Sequence, residues 1–251
     1  VEQGGINSDR LYKLANNAEL LVTQQSQLGV HLGPIHVASI GQADDVALVS
    51  SCPFRLQGLL TLATEYAVSH HIQMVASKTK LLCFAPQGQE DTARYWEAAM
   101  PILFQGLPIP FSQEAEHVGV MRSTGPGSMP AVLSRISAHT RAMHAVLPAG
   151  LARGHRGNPA ASLKVEQLYG LPVLLSGLAS LVLSRSELAA IDHHFKVSVE
   201  QLLRLYPGTP ASFVYLTAGC LPASATLHQC QLCLLGMVAR QGSTSILHQW
   251  G

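Results

Sequence analysis

The chain has 251 residues, of which 12% are charged and 47% hydrophobic, and its net charge is +1. This length allows a sizeable core in one large domain or two smaller ones, and the near-zero net charge excludes a global field that would attract a polyanion. The charge is unevenly spread, however, because residues 121–165 contain six cations and no acid. Such asymmetry predicts a basic face on an otherwise neutral protein.

Cysteine usage and hydropathy indicate an intracellular protein. The five cysteines are an odd number without the spacing of a small disulfide scaffold, which favours a reducing compartment, the nucleus or cytoplasm. The chain opens without a signal-peptide pattern. Its most apolar run, residues 168–183, is shorter than the roughly 20 residues of a membrane-spanning helix, and Gly170, Pro172 and Gly177 interrupt it. We therefore expect no membrane association.

The first motif is Gln3-Gly4-Gly5, which precedes a helical pattern over residues 9–27. Apolar residues recur there at helix spacing, and Asn7 or Ser8 is suited to cap the first turn. Two glycines before a helix let the backbone approach another molecule closely, and a helix N-terminus favours anionic groups. An ordinary loop-to-helix junction is the alternative.

Two adjacent carboxylates, Asp44 and Asp45, lie between apolar runs at residues 36–40 and 46–49. Apolar flanks around two charges predict a tight hairpin with buried strands and a solvated tip. Adjacent acids repel each other, so a fold tolerates them best where a cation neutralises both, and Mg²⁺ prefers oxygen ligands of this kind. A plain acidic turn on the surface is the alternative.

The neighbouring segments predict short helices and strands. A hairpin is expected over residues 29–40 with its turn near Gly33, and Pro53 is suited to begin a helix that ends near residue 70. After a turn at residues 77–78, short strands are predicted at residues 81–84, 102–104, 107–111 and 117–120.

Residues 123–129, with two glycines and a proline, form the clearest linker in the chain. The patterns after it are helical, and they cover residues 129–147, 163–183 with a break, 187–206 and 223–240. The predicted fold class is therefore α+β, with a mixed domain at residues 1–125 and an all-helical region at residues 126–251. Cys230 and Cys233 have the spacing of half a zinc site, but their apolar helical setting favours core thiols.

Four motifs follow one another in a single order: Gln3-Gly4-Gly5, Ala43-Asp44-Asp45, Lys78-Thr79-Lys80 and Val118-Gly119-Val120. This order resembles the palm of a reverse transcriptase, of the kind encoded by non-LTR (LINE-type) retrotransposons. The resemblance covers residues 3–120 and implies a palm, an antiparallel sheet with helices, followed by an all-helical thumb and C-terminal region. It also implies an RNA-directed DNA polymerase that uses an RNA template, a DNA primer and deoxynucleoside triphosphates.

The resemblance also implies roles for individual residues. Asp44 and Asp45 would be catalytic ligands of two Mg²⁺ ions, which activate the primer 3′-hydroxyl and stabilise the leaving pyrophosphate. Lys78 would neutralise triphosphate charge or protonate the leaving group; Lys80 matches less well, and a solvated turn lysine is the alternative. The nucleotide and template pocket would involve Gln3, Gly4, Gly5 and Ala43, the primer grip Val118, Gly119 and Val120, and the nucleic-acid backbone contacts Arg135, Arg141, Arg153 and Arg156.

Two departures from the family pattern change what is expected. Gln42 precedes Ala43 where reverse transcriptases usually have an aromatic residue, which weakens packing beside the metals. The family also needs another metal-binding Asp on a strand before the Gln-Gly-Gly motif, and the chain starts too late to contain it. We therefore expect a fragment that lacks the fingers and the first catalytic strand and is inactive alone.

Two other classes of function remain open at this stage. One is a non-catalytic nucleic-acid-binding module derived from a decayed or co-opted retroelement, which would keep the basic helices without the chemistry. The other is a helical structural or membrane-associated protein, which would not respond to nucleic acid.

Overall fold

The computed structural model describes residues 8–33, 35–42, 45–85, 91–117, 119–146 and 158–240. The chain divides into two compact units, Val1–Val118 and Gly119–Gly251. The first mixes helices with strand pairs, and the second is mainly helical, so the general α+β class predicted from the sequence is confirmed. The division falls after Val118, whereas the sequence predicted a boundary at residue 125.

The described part of the first unit contains helices and short antiparallel strand pairs. Strands of two to four residues offer few ladder hydrogen bonds, and the described strands form separate two-stranded sheets where the sequence predicted a palm sheet. The helices are α1 (Ser8–Gln25), α2 (Pro53–Ser69) and α3 (Asp91–Ala99). The strands are β1 (Val30–Leu32), β2 (Ile35–Val37), β3 (Ser39–Gln42), β4 (Asp45–Leu48), β5 (Leu103–Phe104), β6 (Leu107–Pro108) and β7 (Glu114–His117).

Glycine and proline set the element boundaries that the sequence predicted correctly. Gly33, with φ of +60°, lies between β1 and β2, and Gly106, with φ of +80°, lies between β5 and β6. Positive φ is inexpensive for glycine, so each hairpin turns at that residue, and the second turn also holds Gln105 at φ of +52°. Pro53 stands at the first position of α2, where its missing N–H costs nothing.

The core of the first unit lies between α2 and the β5–β6 hairpin, and its buried members are Leu60, Leu81, Ile102, Phe104 and Ile109. A side-chain amide joins the two elements, because Gln57 Nε2 donates to the Leu103 carbonyl at 3.0 Å and Gln57 Oε1 accepts from the Leu103 N–H at 2.7 Å. The Gln57 amide thus satisfies the two backbone groups of Leu103 that a neighbouring strand would otherwise pair.

The buried strand predicted at residues 81–84 is wrong. Leu81 makes an isolated parallel bridge with Phe111, and its carbonyl accepts from the Ser112 N–H at 2.7 Å. Beyond that bridge the chain has no ladder partner among the described residues, and Phe84 is 67% exposed.

The second unit begins with β8 (Val120–Ser123) and continues as helices. Its buried core includes Val132, Leu174, Ile191, Phe195 and Leu227. A π-helical turn at Glu166–Gly170 connects α5 to α6. The helices are α4 (Met129–Val146), α5 (Pro159–Val165), α6 (Leu171–Leu175), α7 (Arg185–Leu203), α8 (Ala211–Ala218) and α9 (Ala223–Ala239).

The sequence predicted α4, α7 and α9 to within a few residues but did not predict α8. It also predicted Cys230 and Cys233 to be core thiols, and both are exposed on α9. The apolar residues of α9 surround the helix, so its pattern does not identify the buried face. Leu227 is fully buried, whereas Leu232 is 68% exposed.

Carboxylates tie the helical segments of the second unit together. Glu187 closes a capping box with Ser184 at the start of α7 and accepts a further hydrogen bond from the Ser128 N–H. The segment predicted as a linker is therefore anchored at its end. Asp192 on α7 accepts from both the backbone N–H and the hydroxyl of Ser224, at 2.8 and 2.6 Å, and so caps α9.

Candidate metal and nucleic-acid site

The adjacent aspartates belong to the β3–β4 hairpin. The antiparallel register pairs Ser39 with Leu48 and Gln42 with Asp45, so the predicted strand–acid–strand hairpin is confirmed. Asp45 is exposed at the start of β4. The strands are less buried than the sequence predicted, and Ile40, for example, is 52% exposed. The reason is that β3 and β4 pair only with each other among the described strands.

Helix α1 holds β3 through polar side chains. The hydroxyl oxygens of Thr23 and Ser39 are 2.6 Å apart, and Gln24 Oε1 accepts from the Ala38 N–H at 3.0 Å. Glu19, one turn before Thr23, is buried, and this burial raises the pKa of its carboxyl group. These contacts fix the hairpin on the helix that follows the Gln-Gly-Gly motif.

The fit of this hairpin to a divalent cation rests on Asp45. Its exposed carboxylate suits a hard cation as one oxygen ligand. Asp44 and Ala43 lie outside the described residues. Within the part of the chain that the structure describes, no three His, Cys, Asp or Glu side chains are placed to hold a metal ion. The described residues therefore supply one ligand and not a complete ligand set for two ions.

The lysine motif lies on an exposed turn. A 3-10 turn spans Ala76–Lys78, and the Thr79 N–H donates to the Ala76 carbonyl at 3.1 Å. The side chains of Lys78 and Lys80 are both exposed. No ion pair joins Asp45 to Lys78 in the described part of the chain. Both lysines are thus free to move toward a phosphate, and the structure does not choose between them.

The predicted primer grip divides between a turn and a core position. Gly119 is exposed and has φ of +71°, whereas Val120 is 7% exposed. A Cβ added to Gly177 would lie 2.1 Å from Val120 Cγ2, so the valine packs directly on that glycine. The Val120 side chain therefore supports the core, and the exposed backbone of Gly119 is the part open to a ligand. Val118 lies outside the described residues.

The two described arginines of the predicted backbone contact, Arg135 and Arg141, lie on α4. They are six residues apart, and at about 100° per residue they point about 120° away from each other. Arg135 is partly buried and Arg141 is exposed. Arg141 is accordingly the better placed of the two to meet a phosphate. Arg153, Arg156, Gln3, Gly4 and Gly5 lie outside the described residues.

The second unit contains a buried, hydrogen-bonded set of polar side chains that was not predicted from the sequence. His139 Nε2 lies 2.8 Å from Glu166 Oε1, and His139 Nδ1 lies 2.9 Å from His194 Nε2. His139 is 2% exposed and Glu166 is fully buried. The signal was available, because His139 shares the apolar stripe of α4 with Val132 and Met143.

Comparison with protein-family models, with curated proteins and with solved structures found no match. Among the residues that the structure describes, no helix is long and apolar enough to cross a bilayer. The function of the chain is therefore inferred from its own residues.

Proposed function

We propose that this chain carries the metal-binding hairpin and the following helical region of an RNA-directed DNA polymerase of the non-LTR retrotransposon kind. The observation that carries the proposal is the hairpin itself: β3 and β4 pair in register on either side of the acidic motif, and Asp45 is exposed where β4 begins. The order of the four sequence motifs around it supports the same reading.

Asp44 and Asp45 would hold the metal ions, which in this reaction class lower the cost of attack by the primer 3′-hydroxyl and of pyrophosphate departure. Lys78, exposed on its turn, offers a compact cation with rotatable donors for the triphosphate. The exposed backbone at Gly119 lets a primer strand approach closely, since no side chain intervenes.

The test is primer extension on an RNA template annealed to a DNA primer, with Mg²⁺ and deoxynucleoside triphosphates. The assay uses this chain and the product of the whole reading frame that encodes it. We expect extension by the product of the whole reading frame, and its loss in the variants Asp44→Ala and Asp45→Ala. Extension at the wild-type rate in either variant would show that the catalytic assignment is wrong.

A second candidate is a nucleic-acid-binding module without catalysis, and the surface of α4 favours it. Arg141 is exposed there beside Ser137, Thr140 and His144, which are also exposed and can contact phosphates. Residues 121–165 contain no acid that would repel a nucleic acid.

The two candidates differ in their dependence on metal. Filter binding of a duplex at several salt concentrations should show affinity falling with salt for both. The binding module would retain this salt dependence unchanged without Mg²⁺, and the product of its whole reading frame would extend no primer. The polymerase would extend the primer only with Mg²⁺.

A further inference from the structure

Three titratable side chains form a continuous hydrogen-bonded chain inside the second unit. Glu166 comes from the π-helical turn, His139 from α4 and His194 from α7. His139 uses both ring nitrogens, one toward the carboxylate and one toward the second imidazole. A single chain of two hydrogen bonds therefore connects three separate elements.

The fully buried carboxylate of Glu166 needs a compensating charge. Its Oε1 faces His139, while its Oε2 is buried without a hydrogen-bond partner among the described residues. Burying an ionised carboxylate is costly unless an opposite charge or donors accompany it. An imidazolium among the three hydrogen-bonded side chains supplies this charge.

The hydrogen bond between the two imidazoles limits how many protons the three side chains can hold together. His139 Nδ1 and His194 Nε2 are 2.9 Å apart, so one of these nitrogens donates and the other accepts. If both rings were imidazolium ions, two N–H groups would point at each other and the bond would break. The intact chain thus accommodates one positive imidazolium and no more.

We propose that Glu166, His139 and His194 form an acid-sensitive latch, which holds α4, the π-helical turn and α7 together and releases when both imidazoles are protonated. The second protonation places two like charges beside one carboxylate in the interior of the unit. Solvation of the second charge requires the elements to separate, so acidification loosens the second unit through this cluster.

The electrostatic surroundings of His194 also resist its protonation. Burial, together with the neighbouring imidazoles of His139 and His193, lowers the pKa of His194, although the Glu166 carboxylate acts in the opposite direction. Glu166 also faces Cys220, where burial first and the carboxylate second raise the pKa of the thiol.

The other elements packed on the latch carry few charges that could replace it. On α4, Arg135 lies one turn before His139, and α5 has the exposed Lys164. Lys196 and Glu200 on α7 pair with each other at 3.0 Å. Helix α6 has no titratable residue.

The sign of the pH effect follows from proton binding. In the unfolded chain His194 accepts a proton near pH 6.5, whereas in the folded latch its pKa is lowered and it resists that proton. The unfolded state therefore binds more protons below pH 6.5, and stability falls as the pH falls. One withheld proton changes the unfolding equilibrium by up to about tenfold per pH unit.

The test is urea denaturation of the full chain, followed by far-ultraviolet circular dichroism, between about pH 7.5 and pH 5. His194→Gln replaces the imidazole with an amide that can donate or accept a hydrogen bond but does not titrate. We expect the steep loss of stability below pH 6.5 to become shallower, by up to about tenfold per pH unit, in this variant. His228→Gln changes an exposed histidine on α9 that is not among the groups acting on His194, and it should retain the wild-type slope.

A second measurement covers the case in which His194→Gln does not fold. Nitrogen-15 spectra of the imidazole rings in the wild-type chain report which nitrogens carry protons. We expect that His139 and His194 are never both imidazolium ions while the circular dichroism signal of the helices is intact. Two imidazolium rings in the folded protein, or an unchanged slope in a folded His194→Gln variant, would overturn the proposal.

Discussion

Gly170 shows how one hydrogen atom in place of a side chain makes room for a buried acid. A Cβ at this position would lie 2.8 Å from both Glu166 Oε2 and Met143 Sδ, so the carboxylate can occupy its site only beside glycine. The clash is with side-chain ends on two different elements, and Glu166 is also held by its bond to His139.

Gly170→Ala should therefore destabilise the protein. In an unobstructed helix alanine is about 1 kcal/mol better than glycine, but crowding in a packed interior costs about 1–3 kcal/mol. We expect a net loss of stability in urea denaturation, together with a change in the pH dependence below pH 6.5, since the latch is displaced.

Gly236→Ala is the matched control for that substitution. Gly236 lies inside α9, and no atom lies within 4 Å of an added Cβ. We expect a gain of about 0.5–1 kcal/mol from helix propensity alone. If both alanine variants were equally stabilised, the packing around Glu166 would be looser than the structure indicates.

Arg141 is the described cation whose removal should change nucleic-acid binding most directly. Arg141→Gln should lower the slope of log affinity against log salt by about 0.9 for a duplex, because one phosphate contact is lost. The measurement is filter binding at about 50–200 mM salt. Arg185→Gln, an exposed cation at the start of α7, should leave the slope unchanged. Equal effects of the two variants would contradict a contact specific to α4.

At the level of elements, the start of α7 depends on one carboxylate. Glu187 accepts from the Ser184 N–H at 2.6 Å, from the Ser184 hydroxyl at 2.8 Å and from the Ser128 N–H. Burial favours its neutral form, but the hydrogen bonds from Ser184, Ser128 and Met129 outweigh burial and lower the pKa of Glu187 below its ordinary 4.5.

Glu187→Gln should remove stability that is present above pH 4.5 and lost below it. The unfolded chain binds the proton more readily, so wild-type stability falls as the pH falls through this window. At neutral pH we expect a loss of about 1–3 kcal/mol in urea denaturation, since charged acceptors are replaced by an amide. The control Glu65→Gln, exposed on α2, should change stability by less than about 0.5 kcal/mol. If Glu187→Gln lost stability below pH 4.5 as steeply as the wild type, the role assigned to Glu187 would be contradicted.

Local chemistry explains why some elements were predictable from the sequence. The turns at Gly33 and Gly106 and the start of α2 at Pro53 draw on the backbone properties of glycine and proline, which the sequence shows directly. The apolar run at residues 81–84 carried no such signal, and whether it paired was decided by Phe111, about thirty residues away. Helix α8 was missed for a related reason, since its eight residues are almost uniformly apolar and show no period.

For the molecule as a whole, the α+β class and two units followed from the change in pattern along the chain, but the interior contacts did not. The chain from Glu166 through His139 to His194 joins residues 27 and 55 positions apart. Hydrophobic periodicity showed that His139 lies on a buried stripe, yet it could not show which residues meet it there. The acidic hairpin was predictable because both of its strands are adjacent in sequence.

We propose that the β3–β4 hairpin presents its aspartates to divalent metal beside a primer and template. Anomalous X-ray scattering from Mn²⁺, in crystals of the whole reading-frame product with a primer, an RNA template and a nucleotide, tests it most directly. We expect an Mn²⁺ peak about 2.1 Å from carboxylate oxygens of Asp44 or Asp45, close to the distance at which such oxygens bind Mg²⁺. Metal bound elsewhere, with this hairpin distant from the nucleic acid, would contradict it.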